Sequence, residues 1–201
     1  MQWDRLFEDL EGQLASEWEA ERAILDAESE RLRISRLELR ARLRVLCADA
    51  AVATLHLPGD RRVRSRLHTL GADWLAVEPS EATRTTRGRY LVPLSAIRGI
   101  DCDHGILLGS LDVAAEQRAP LRERMTLGFV LRDLARRRLP VRMLTADGDD
   151  LHGTVDRAGH DHLDLALHDA GTARVAAAVR GYRIVPFGAV VSLWVGEAQI
   201  P

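Results

Sequence analysis

Gly159-His160-Asp161-His162-Leu163-Asp164-Leu165 answers Gly71-Ala72-Asp73-Trp74-Leu75-Ala76-Val77. Further on, Val179-Arg180-Gly181-Tyr182-Arg183-Ile184-Val185-Pro186-Phe187 answers Thr86-Arg87-Gly88-Arg89-Tyr90-Leu91-Val92-Pro93-Leu94. Glycines, strand-forming residues and the late proline recur in one order, so one unit is used twice. Leu163, Leu165 and Leu167 alternate with His162, Asp164 and Ala166, the period of a half-buried strand. Leu75 and Val77 likewise point inward, opposite Trp74 and Ala76.

Working outward, the first copy is expected to carry strands at 43–47, from about Val63, and at 74–78, 90–93 and 96–100. A long connection containing Pro58-Gly59-Asp60 joins the first two. The second copy is expected to carry strands at 141–145, 151–157, 163–167, 182–185 and 190–195, with Asp147-Gly148 as a tight turn. On this reading the first copy has extra residues in its first hairpin and the second in its middle loop. Five short strands are too few for a sandwich, and closure into a small barrel removes exposed edges. The expected fold is α+β: a long N-terminal amphipathic helix plus two tandem small β-barrels, each preceded by a helix. The boundaries follow as N-terminal helix 1–42, first barrel 43–103, linker and helix 104–139, and second barrel 140–201.

Residues 2–46 contain no proline and only Gly12, and read as one long helix broken near its middle. Trp3, Leu6, Phe7, Leu10, Leu14 and Trp18 form an apolar stripe, a candidate surface for self-association or partner docking. Leu25, Leu32, Leu39 and Leu46 recur every seven residues, as in a coiled coil. The second apolar position of each heptad is mostly missing, with Glu28 and Ser29, or Ser35 and Arg36, in its place. A second helix is expected at 121–138, with Pro120 at its first turn and Leu127, Val130, Leu131 and Leu134 facing inward.

The 201 residues are 46% hydrophobic and 4% aromatic, so aliphatic side chains must build the core. All 28 basic residues are arginine. The net charge of −2 hides blocks of opposite sign: acids crowd 1–30, while arginines crowd 31–44 and 118–142. Cys47 and Cys102 have neither zinc-site nor disulfide-framework spacing, which suits a reducing cytoplasm. The acidic N-terminus is unlike a signal peptide, and the apolar run 185–195 is too short to span a membrane as a helix. A cytoplasmic protein without membrane, small-molecule substrate or cofactor is expected.

A helix followed by five strands resembles the Sm-like family, given G-x-D before the third strand and Arg-Gly before the fourth. Residues 179–187 match that family's second motif, and residues 86–94 match it with Thr86 in place of an apolar residue. The resemblance covers about 33–100 and 127–195. It implies small barrels that assemble into rings and bind single-stranded RNA, with Arg87-Gly88 and Arg180-Gly181 on the RNA-facing loops. Asp164 and Ala76 stand where the family usually has asparagine, so its uridine recognition is not implied. Residues 90–97 also resemble PRC-barrel domains, which serve as RNA-processing accessory and protein-interaction modules. The whole chain resembles uncharacterised actinobacterial proteins, some labelled Fis-type regulators, but its C-terminus reads as strands rather than a helix-turn-helix.

His160, His162 and Asp164 share one strand face at metal-ligand spacing, although a solvated strand edge explains them as well, and no metal is assigned. No nucleophile elbow, phosphate loop or HExxH pattern occurs, so a non-enzymatic protein is expected. Arg31, Arg33, Arg36, Arg40, Arg42 and Arg44, and Arg132, Arg136, Arg137, Arg138 and Arg142, precede the two β units. Arg136, Arg137 and Arg138, with the Arg-Gly pairs, are the candidate nucleic-acid contacts. Intramolecular pairing with acids is the alternative. Two functions follow: an RNA-binding adaptor, or a purely protein-binding scaffold or regulator.

Overall fold

The computed structural model describes residues 2–80, 88–113, 120–171 and 175–196. The chain divides into two units, 1–42 and 43–201. Helix α1 (Gln2–Ser35) occupies most of the first. Its surface is knitted by short-range ion pairs such as Arg33 to Glu30 at 2.6 Å. Residues 36–38 interrupt the helix before α2 (Leu39–Ala48). The heptad leucines are thereby split: Leu25 and Leu32 are exposed on α1, whereas Leu46 is buried in the core of the second unit.

The second unit is built on one antiparallel sheet of ten strands. These are β1 (Val52–Leu57), β2 (Arg61–Leu70), β3 (Trp74–Pro79), β4 (Tyr90–Pro93), β5 (Gly99–Asp101), β6 (Pro140–Thr145), β7 (Asp150–Ala158), β8 (His162–Leu167), β9 (Gly181–Pro186) and β10 (Val190–Trp194). Their order across the sheet is β5-β1-β2-β3-β4-β10-β6-β7-β8-β9. The sheet is continuous and does not close, so β5 and β9 are its ends. Helix α3 (His104–Gly109) follows β5, with the Asp103 carboxylate accepting from the Ile106 amide at 2.9 Å. Helix α4 (Leu127–Arg137) precedes β6.

The strand expected at 43–47 is helix: these residues belong to α2, and Leu43 and Leu46, three residues apart, face the core together. The first strand begins only at Val52, and Pro58-Gly59-Asp60 is the short turn of a β1–β2 hairpin. Gly59 and Asp60 both take positive φ there, as a tight turn requires. The extra residues expected in the first hairpin therefore vanish. From α2 to β3 each residue has a counterpart 88 positions on, as Thr54 has Arg142 and Trp74 has His162; from β4 to β5 the step is 93, as Asp101 has Trp194. The β2–β3 ladder slips between Leu67 and Thr69, and the β7–β8 ladder slips at the counterparts Val155 and Arg157. Both α2 and α4 end through a left-handed residue, Ala50 (φ 46°) and Arg138 (φ 51°).

Helix 121–138 also needs correction. Residues 121–124 form a 3-10 turn, and α4 starts at Leu127 behind the Thr126 cap. A second cap comes from across the fold: Asp73 Oδ1 accepts from the Leu127 amide at 2.6 Å. Leu127, Val130, Leu131 and Leu134 are buried as their spacing demands.

Two apolar cores result. One holds α2 and the inner face of β1–β4, reaching to Val191 of β10. The other holds α4 and β6–β10 but also takes Trp74, Ala76 and Leu91 from the opposite face of β3 and β4. Strands β3 and β4 are thus covered on both faces, and each core borrows from the other half of the chain.

Candidate functional site

The shared motifs are accounted for first as structure. In the G-x-D turn, the Gly71 amide donates to the Trp74 carbonyl at 2.8 Å, and Gly159 does the same to His162 at 2.8 Å. The carbonyls of Asp73 and Asp161 accept from Leu94 and Phe187 at 2.9 and 2.7 Å, tying the turn to the end of the fourth strand. A Cβ on Gly71 would strike the Trp74 ring, and one on Gly159 would meet His162 at 2.6 Å. Glycine is demanded by packing here, without any ligand.

Arg87 lies outside the described residues. Gly88 has φ +148°, and a Cβ would come within 2.6 Å of the Gly196 carbonyl and the Trp194 ring nitrogen. Arg180 is exposed and reaches Asp169 at 3.0 Å; Gly181 opens β9 opposite Leu167. Arg136 and Arg137 both pair with Asp133, at 2.6 and 3.4 Å, and hold its carboxyl below the usual range. Arg138 approaches Asp156 at 3.8 Å. Every described arginine nominated for nucleic acid therefore has a carboxylate neighbour, which lowers the positive potential it offers to phosphate.

The His160, His162 and Asp164 row is drawn apart by its partners. His162 Nδ1 meets Asp161 at 2.8 Å, and Asp164 faces Arg157 at 3.7 Å. Among the described residues no three His, Cys, Asp or Glu side chains group as metal ligands. His168 is fully buried between the Thr154 hydroxyl (2.8 Å) and the Asp169 carbonyl (3.1 Å). Since a carbonyl only accepts, Nδ1 carries the proton and Nε2 accepts from the hydroxyl. Burial pushes the Cys47 thiol up to about 12, with Glu123 adding to the effect, so it is a poor nucleophile. Trp74, expected opposite the inward face of its strand, is fully buried and donates to the Met125 carbonyl at 2.9 Å.

Two features escaped the sequence reading. Arg62 and Arg64 point outward from β2 and have no ion pair among the described residues. Their signal was present in Arg61-Arg62-Val63-Arg64-Ser65-Arg66. Beside the β4–β10 junction lies a cavity of about 290 Å³, floored by Leu55, Val77 and Val92. Arg61 stands at its rim with the bidentate Arg142–Asp150 pair, whose closest contact is 2.5 Å. Helix α1, expected to carry a docking stripe, is exposed where its side chains are described: Trp18 is 73% exposed, and Leu25 and Leu32, seven and fourteen residues on, are exposed too. Leu14 is half exposed; the side chains of Trp3, Leu6, Phe7 and Leu10 lie outside the described part. Among the described residues no helix is long and apolar enough to cross a membrane. Comparisons with protein-family models, curated proteins and solved structures gave no match.

Proposed function

We propose that the protein is a non-enzymatic adaptor made of two tandem Sm-like units, and that it recruits another polypeptide through α1. The carrying observation is the row Trp18, Leu25 and Leu32, which keeps large apolar area in water along one helical line. The equal strand order and register of the two halves support the tandem reading. The carboxylate partners of Arg136, Arg137, Arg138 and Arg180 favour the scaffold over the RNA-binding adaptor. A PRC-barrel-like regulator fits the same scaffold role, and a cytoplasmic setting suits its free cysteines.

Arg62 and Arg64 keep a second reading open, in which RNA tracks the outer face of β2. One titration separates the two. Single-stranded RNA is added to the full chain at about 50 mM salt, where phosphate contacts are strong. The scaffold reading expects no binding. Binding that weakens steeply with salt and drops on Arg62→Ala or Arg180→Ala establishes the RNA reading instead. For α1, chemical crosslinking through the helix should be lost in a Trp18→Ala, Leu25→Ala variant. Unchanged crosslinks would reject the docking role.

A further inference from the structure

The cavity of about 290 Å³ beside the β4–β10 junction has an apolar floor and a polar mouth. Leu55, Val77 and Val92 supply the floor, and each is at most 1% exposed. Arg61, Tyr90, Ser192 and the Arg142–Asp150 pair supply the polar groups. The Asp150 carboxylate is already held by two nitrogens of Arg142, at 2.8 and 2.5 Å. The side chains of Arg61, Tyr90 and Ser192 have no hydrogen bond or ion pair among the described residues. Burial raises the Tyr90 phenol above its ordinary value, so at neutral pH it keeps its proton and can donate. A guanidinium and two hydroxyls thus line an apolar space whose carboxylate is taken.

The second half shows how the same place is closed from within. In the steps that relate the halves, Asp149 is the counterpart of Arg61, and Arg183 is the counterpart of Tyr90. Asp149 and Arg183 meet as an ion pair within the chain. In the first half both positions carry donors, and the anion that would join them is missing. The floor stays apolar in both halves: Val77 and Val92 correspond to Leu165 and Val185.

We propose that this cavity is a binding site for a small aliphatic carboxylate. Its alkyl chain lies on Leu55, Val77 and Val92. Its carboxylate takes the place that Asp149 fills in the second half, accepting from Arg61 and from the Tyr90 hydroxyl. Hydrogen bonds from a guanidinium to a carboxylate are among the strong ones. An apolar cavity with a few convergent polar groups is the usual form of a small-ligand site. At about 30 Å³ for each non-hydrogen atom, the share of one water in the liquid, the space holds about ten such atoms, the size of octanoate. The inference goes beyond the docking role of α1 and does not depend on it, since every residue of the site lies in the second unit.

Titration calorimetry of the full chain with octanoate tests the proposal. One-to-one binding is expected, with a dissociation constant at or below about 1 mM for a ligand this small. Hexanoate, shorter by two methylenes, should bind about fifteenfold more weakly. Arg61→Gln should weaken octanoate binding about tenfold, and Tyr90→Phe about fivefold. Arg61 is exposed and Tyr90→Phe keeps the ring, so both variants should fold. Octylamine, with the same chain and the opposite charge, should bind at least about tenfold more weakly than octanoate. In methyl spectra of the same titration, the signals of Leu55, Val77 and Val92 should shift and saturate together with the heat. Absence of saturable octanoate binding overturns the proposal, as does equal binding by octylamine or by the Arg61→Gln chain. Shifts confined to Leu14, Leu25 and Leu32 place the ligand on α1 and overturn it as well.

Discussion

Trp74 is fully buried where both faces of β3 are covered. Its ring covers Gly71, its ring nitrogen satisfies the Met125 carbonyl, and its body fills the core under α4. Trp74→Ala should cost about 3–5 kcal/mol, through lost burial and the cavity it leaves, read as a lower urea midpoint. His162, its counterpart, is exposed, so His162→Ala should leave that midpoint nearly unchanged. Cys47 makes a second prediction at this scale. Since its thiol is pushed up to about 12, maleimide at pH 7–8 should label it only at the rate of local opening. Labelling as fast as a free thiol in small peptides would show the site to be open.

At the scale of elements, the outcome at 43–47 shows where pattern reading stops. Leu43, Val45, Leu46 and Cys47 suit a short strand or a helix turn equally well. The left-handed Ala50, which ends α2 and turns the chain into β1, decides for helix. Helix α4 depends on a cap that local sequence does not reveal, because Asp73 comes from the turn before β3. Asp73→Ala should therefore destabilise by about 1 kcal/mol, while the Thr126 cap remains. Between β6 and β7, the Arg142 guanidinium holds the Asp150 carboxyl below its usual range. A carboxyl depressed in the folded state stabilises it above the unfolded value, near 3.9, and loses that effect as pH falls through the folded value. Both side chains are about half exposed, so the gain is under about 1 kcal/mol. The stability gap between wild type and Asp150→Asn should be flat above about pH 5 and shrink below about pH 4.

At the scale of the whole molecule, the repeated helix-and-strand unit was legible apart from the first strand of its first copy, and its closure was not. The argument for barrels was that edges must be removed. The chain removes two of them by pairing β4 with β10, and leaves β5 and β9 at the ends. Covering the outer face of β3 and β4 with α4 then turns Trp74, Ala76 and Leu91 from surface into core. Alternation along one strand identifies its two faces; it does not reveal that both are buried, because small or aromatic side chains at the outward positions serve either surroundings. The arginine blocks were equally visible in the sequence, and so were the local partners of Arg33, Arg136 and Arg137, but other carboxylate partners are not neighbours in the chain: Arg44 meets Glu123 and Arg138 meets Asp156.

By itself the sequence determined the unit: the G-x-D turn, the strand alternation, the late proline and the inward stripe of α4. All are local, set by backbone sterics and by side-chain period within a few residues. The tertiary structure decided what lies between units: the single sheet, the shared cores, the distant partners of Arg44 and Arg138 and the two unpaired ends. Those depend on contacts between residues far apart in sequence, where the energy of burial and of ladder hydrogen bonds overrides what any short stretch prefers.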